Sequence, residues 1–125
     1  DERIQEYPTE ELKSRYPAEG NYVAVVGRPG HRLIVTNFYT DMKKTNRFPV
    51  AFIVAPPSMR GIGFSDHASF WEMGYPALMV TDTSFYRNKN YHKKTDLPET
   101  LDYLKMSLLA GSLAKVLEDL DRDLF

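Results

Sequence analysis

With 16 basic and 17 acidic side chains over 125 residues, a formal net charge of −1 gives this chain no electrostatic pull toward nucleic acid or an anionic membrane. The absence of cysteine excludes disulfides, thiolate metal sites and a thiol nucleophile. A composition 42% hydrophobic and 26% charged is that of one globular domain over residues 1–125, and no apolar run reaches the ~20 residues that cross a bilayer.

Residues 1–20 form a polar N-terminal segment punctuated by Pro8, Pro17 and Gly20. The start, Asp1-Glu2-Arg3-Ile4-Gln5, has no apolar leader and reads as the interior of a longer chain. Thr9-Glu10-Glu11-Leu12 predicts a short helix capped by Thr9, acidic in its first turn and stopped by Pro17. Tyr22-Val23-Ala24-Val25-Val26 is the first predicted strand, and its near-continuous apolar run suits the centre of a sheet covered on both faces. After Arg28-Pro29-Gly30, the four-residue spacing of Ile34, Phe38 and Met42 predicts a helix, with His31 as a solvated first-turn residue.

Val50-Ala51-Phe52-Ile53-Val54 is the second strand, stopped by Pro56-Pro57. A loop leads to Ser65-Asp66-His67, and a short helix from His67 to Met73 is expected, capped by Ser65 or Asp66 and ended by Gly74. Pro76-Ala77-Leu78-Met79-Val80 reads as the third strand. The loop from Thr81 to Pro98 is long for a small domain, and such loops are usually functional. A last helix begins near Thr100 to Asp102 and runs to about Leu120, its stripe of Met106, Leu109, Leu113, Val116, Leu117 and Leu120 expected to cover one side of the sheet. Its acidic end, Glu118 to Asp123, opposes the helix dipole and predicts fraying. The alternation of strands and helices predicts an α/β fold, a sheet layered by helices.

Two loops carry the candidate chemistry. Sites in open α/β sheets lie beyond the carboxyl ends of the strands, and the loops after Val54 and Val80 bear Asp66, His67, Asp82 and His92. Converging imidazoles and carboxylates are what a hydrolytic metal centre needs. The plainer alternative has Asp66 capping a helix and His67 packing on Trp71, one turn on. A Ser65–His67–Asp82 triad lacks a Gly-x-Ser-x-Gly elbow, and neither a His-Glu-x-x-His helix nor a nucleotide-binding glycine loop is present.

Ser65-Asp66-His67-Ala68-Ser69-Phe70-Trp71, Gly74-Tyr75-Pro76-Ala77, Thr81-Asp82-Thr83, Tyr91-His92 and Leu101-Asp102-Tyr103 with Met106 resemble, in order and spacing, the C-terminal half of the co-catalytic zinc aminopeptidases. That family includes bacterial leucyl aminopeptidases and is similar in fold to glutaminyl cyclase and glutamate carboxypeptidase. The likeness runs from about Gly20 to the end of the chain.

The resemblance implies a partial three-layer αβα sandwich of the phosphorylase/hydrolase-like zinc exopeptidase type, with a mixed sheet. It also implies a two-zinc site that hydrolyses N-terminal residues from peptide substrates with a metal-activated water, and a secreted or periplasmic protein. By the resemblance His92 is a metal ligand, while Asp66 orients site groups from outside the ligand set and Ser65 stands on the substrate side. Phe64, Met79, Thr81, Phe85 and Tyr91 match positions bordering the pocket for the substrate's first side chain. The family's His-x-Asp pair, Glu-Glu pair and further ligand Asp have no counterpart here, and residues 1–20 resemble the segment that follows the last of these.

One histidine cannot hold zinc, since catalytic sites use about three protein ligands per metal. The expectation is that these 125 residues alone neither bind zinc tightly nor cleave peptides. They would be part of a longer aminopeptidase, missing its N-terminal half. Alternatively they would pair with a second chain supplying the ligands, or form a non-catalytic binding module that kept the fold. An exposed sheet edge and apolar surface, with self-association through them, are expected too.

Overall fold

A computed structural model describes residues 4–124; Asp1 to Arg3, at the predicted chain start, and Phe125 lie outside the described residues. Thr9 caps α1 (Glu10–Arg15), its Oγ1 accepting the Leu12 N–H at 3.3 Å. Strand β1 (Val23–Gly27) is buried along its whole length, as a β-branched run at the centre of a sheet should be. The helix α2 (Arg32–Thr45) follows a single turn of 3₁₀ helix at Pro29–His31 and connects β1 to β2 (Val50–Val54). The chain continues through α3 (His67–Glu72), β3 (Met79–Thr81) and α4 (Tyr103–Leu124).

The sheet is mixed, in the order β2-β1-β3. Strands β1 and β2 are parallel, Val26 opposite Ile53, while β3 runs antiparallel to β1 with Ala24 opposite Thr81 and Val26 opposite Met79. Strand alternation then sorts the side chains. One face carries Val23 and Val25 and receives α2, whose Val35 and Met42 are fully buried; α4 lies beside α2 and buries Val116. Gly27 allows the close approach of that helix, since a Cβ there would fall 2.3 Å from the Val35 Cγ2. The other face carries Tyr22, Ala24, Val26 and Ile53, which form the core with Ala55, Ile62 and Trp71.

Several expectations are corrected. The third strand is three residues long and begins at Met79. Pro76 has no N–H for a ladder, and the Ala77 carbonyl is taken by Trp71 Nε1–H at 2.9 Å. The α3 helix has no side-chain cap; the backbone carbonyls of Ser65 and Asp66 accept the N–H groups of Ala68 and Ser69 instead. Helix α4 is helical through Leu124, with Arg122 paired to Glu118 and Asp119 across successive turns of its acidic end. Its apolar stripe is covered only in part: Val116 is buried, while Met106, Leu117 and Leu120 are exposed. Leu33 on α2, Met73 after α3 and Leu104 on α4 are also exposed.

Candidate functional site

Because β3 is antiparallel to β2, the loops that leave their carboxyl ends depart from opposite ends of the sheet. This overturns the premise that Asp66, His67, Asp82 and His92 gather beyond one end. Among the described residues there is no group of three or more His, Asp or Glu side chains placed to hold a metal ion. Asp82 Oδ1 instead accepts the Ser84 N–H at 2.8 Å in a local turn. His67 is buried, its Nε2 bonded to the Ile62 carbonyl at 2.6 Å and its ring edge-on to Trp71 at 4.5 Å. His67 makes no hydrogen bond to Ser65 or Asp82 among the described residues, so the triad is not assembled. The predicted packing of His67 on Trp71 holds.

The two loops do meet, but over the face of the sheet. Residues 59–65, after β2, and residues 83–91, after β3, fold across the Val26 face and border a half-open cavity of about 240 Å³. The Tyr86 hydroxyl donates to the Arg60 carbonyl at 3.0 Å, and the Phe64 and Phe85 rings stand 6.2 Å apart. The floor is the sheet: Val26, Ile53, Met79 and Thr81 lie on one face by strand parity and all line the cavity. The N-terminal segment supplies a further wall through Gln5, Glu6, Tyr7 and Leu12. It is tied down by Glu6 N–H to the Tyr86 carbonyl at 2.8 Å.

Six of the residues assigned by sequence resemblance converge on this cavity: Phe64, Ser65, Met79, Thr81, Phe85 and Tyr91. Asp66 and His92 stand outside its lining, and both are exposed. The Asp66 carboxylate makes no hydrogen bond or ion pair among the described residues, so no contact to a ligand imidazole is present. His92 follows cavity-lining Tyr91, its ring stacked on the tyrosine at 3.9 Å and 16°. Its backbone is left-handed at φ 58°, as are Thr83 at φ 75° and Ser84 at φ 47°. These are all three of the non-glycine residues with positive φ among those described, and all lie in the one loop. Such conformations cost of order 1–3 kcal/mol each and concentrate at binding and catalytic loops.

Sequence reasoning missed the frame of the site. Arg87 joins three segments: Nε donates to Gln5 Oε1 at 3.0 Å, Nη1 to the Tyr22 carbonyl at 2.8 Å, and the guanidinium lies 4.8 Å over the Tyr22 ring. Burial pulls the Arg87 pKa below its ordinary value, opposed by Tyr22 and Asp82. Gly20 makes room for it, since a Cβ there would sit 2.7 Å from Nε. Burial likewise raises the Tyr86 phenol, against the nearby Arg60 charge. Tyr7, bonded to the Tyr22 hydroxyl at 2.9 Å, is raised further, by burial first and that hydrogen bond second. Gly61, at φ 92° with Phe85 and Tyr86 each 3.2 Å from the place of a Cβ, was the one sequence signal for this packing.

As a metal centre the described residues do not suffice. Among the described residues His92 belongs to no group of three or more His, Asp or Glu side chains, so it does not make the three-ligand set that zinc requires. What the residues do form is a half-open, largely apolar cavity with a few polar groups at its rim, a form that small-ligand sites take.

The chain is similar to uncharacterized protein YfbL of Escherichia coli (strain K12), at 35% identity over 113 residues. That alignment takes in 90% of this chain and 35% of YfbL, so the chain spans about a third of that relative's length. No family model matches the sequence, and no solved structure matches it.

Proposed function

Starting from a site wall that carries an apolar cavity but no metal set, we propose that this chain is the substrate-pocket part of a zinc-dependent aminopeptidase with a three-layer αβα zinc exopeptidase fold. The observation that carries the reading is the convergence of Phe64, Ser65, Met79, Thr81, Phe85 and Tyr91 on one cavity. These positions span 28 residues of sequence, from 64 to 91; the resemblance assigned all but Ser65 to the side-chain pocket and put Ser65 on the substrate side. In this reading the cavity holds the apolar side chain of the substrate's first residue and keeps water from it. His92, held exposed beside Tyr91, is the chain's contribution to the metal. The remaining ligands and the general base belong to polypeptide other than the described residues, which hold no group of three or more His, Asp or Glu side chains placed for a metal. When complete, such a site supplies a metal-activated water for peptide hydrolysis.

A second reading is a non-catalytic binding module, which would need only the apolar cavity and the polar groups at its rim. Zinc content and leucine p-nitroanilide hydrolysis separate the two, measured on the chain alone and on the longest natural polypeptide that contains it. The aminopeptidase reading expects zinc and turnover only in the longer polypeptide, both lost with His92→Ala. Neither appearing there would leave the binding module.

A further inference from the structure

The cavity's rim carries a cation with no ion-pair partner among the described residues. Arg60 is exposed, lies in the cavity lining, and makes no ion pair within 4 Å among the described residues. Its guanidinium rests 4.6 Å over the face of Phe85, a ring that lines the same cavity. Its backbone is fixed as well, through the Tyr86 hydroxyl on the Arg60 carbonyl. The lining's acidic side chain, Glu6, is anchored at the other end of the same tyrosine, by its N–H on the Tyr86 carbonyl. Tyr86 therefore spaces the two charged residues apart. A planar guanidinium aimed by an aromatic face, with its hydrogen-bond donors unused, is a carboxylate receptor.

We propose that Arg60 is a specificity-determining residue that recognises a carboxylate on a ligand whose apolar side chain fills the cavity. The inference deepens the proposed function by naming the substrate class, short peptides with a carboxylate close to the first residue, and it rests on the cavity being the side-chain pocket. Two sources of that carboxylate fit the chemistry: the free C-terminus of a dipeptide, or an acidic side chain at the second position. The Phe64 and Phe85 walls favour an apolar first residue in both cases.

The test is binding to the 125-residue chain without metal, followed by NMR shifts or calorimetry, with Leu-Gly, Leu-Gly-amide and Leu-Asp-amide as probes. With wild type, a carboxylate-bearing probe should bind about tenfold more tightly than Leu-Gly-amide, the size of one charge-assisted hydrogen bond. That advantage should vanish in Arg60→Gln, whose exposed position leaves folding intact by circular dichroism. An advantage for Leu-Gly identifies the C-terminus as the source, and one for Leu-Asp-amide the side chain. If all three probes bind equally well, the Arg60 inference is wrong while the side-chain pocket stands. If none binds at millimolar concentration, both the inference and the pocket fail.

Discussion

Replacing Arg87 with alanine should destabilise the chain by about 1–3 kcal/mol, although the residue is not itself part of the cavity lining. The Tyr22 carbonyl, in a residue 3% exposed, would lose its Nη1 partner at 2.8 Å, and an orphaned buried acceptor costs about 1–3 kcal/mol. Gln5 Oε1 would keep the Thr83 hydroxyl at 3.0 Å, so its loss of Arg87 is only partial. The contact of the guanidinium with the Tyr22 ring adds about 1 kcal/mol. Against these stands the relief of a buried cation whose Nη2 has no partner, which offsets of order 1 kcal/mol. Urea unfolding followed by the fluorescence of Trp71, the one tryptophan, reads the change directly. With an m-value of roughly 1–3 kcal/mol/M, the midpoint should fall by about 1–2 M at unchanged slope. Arg87→Lys, which keeps the charge but not the fork, should lie between wild type and alanine. A midpoint for Arg87→Ala within 0.2 M of wild type would refute the idea that Arg87 ties the N-terminal segment, β1 and the 83–91 loop together.

Gly61→Ala should cost about 1–2 kcal/mol because φ is 92° there, and by crowding Phe85 and Tyr86 it should weaken ligand binding more than stability alone explains; calorimetry beside thermal melts tests both. His92→Gly should leave stability unchanged or raise it by up to ~1 kcal/mol, since His92 is exposed at φ 58°; a clear loss in a thermal melt would make the residue structural. His67→Phe should cost about 1–3 kcal/mol by orphaning the Ile62 carbonyl, measurable by urea titration. Tyr7, Tyr16 and Tyr86 all have pKa values raised by burial. Their folded forms hold the proton more tightly than the unfolded chain, so their contribution is fully present below about pH 10, the unfolded value, and is lost as pH rises beyond it. Urea midpoints taken from pH 8 to pH 11 should be flat and then fall, with a smaller fall in Tyr7→Phe.

Local signals carried most of the fold. The β-branched runs, the four-residue spacing before Met42 and the Thr9 cap are set by neighbours in sequence, and the elements follow them. What period and capping could not carry is strand direction. Whether β3 runs parallel or antiparallel depends on how residues 55–78 cross the sheet, and that one choice decides whether Asp66 and Asp82 can meet. The pocket positions came from the family resemblance and not from period or spacing; in the structure Met79 and Thr81 share a strand face, and Phe85 and Tyr91 share a loop. Arg87 and Arg60 were not legible, since their partners, Gln5, Tyr22 and Phe85, lie 82, 65 and 25 positions away and leave no periodic trace. Local backbone also competes for the candidate ligands: His67 Nε2 is bonded to the Ile62 carbonyl and Asp82 Oδ1 to the Ser84 N–H.

Zinc stoichiometry beside leucine p-nitroanilide turnover, in the longest natural polypeptide containing this chain and in its His92→Ala variant, tests the central claim most directly. Bound zinc and turnover in the first, with both reduced at least about tenfold in the second, is the result expected of a ligand histidine. Zinc and turnover undiminished by His92→Ala, or stoichiometric zinc and turnover by the 125 residues alone, would contradict it.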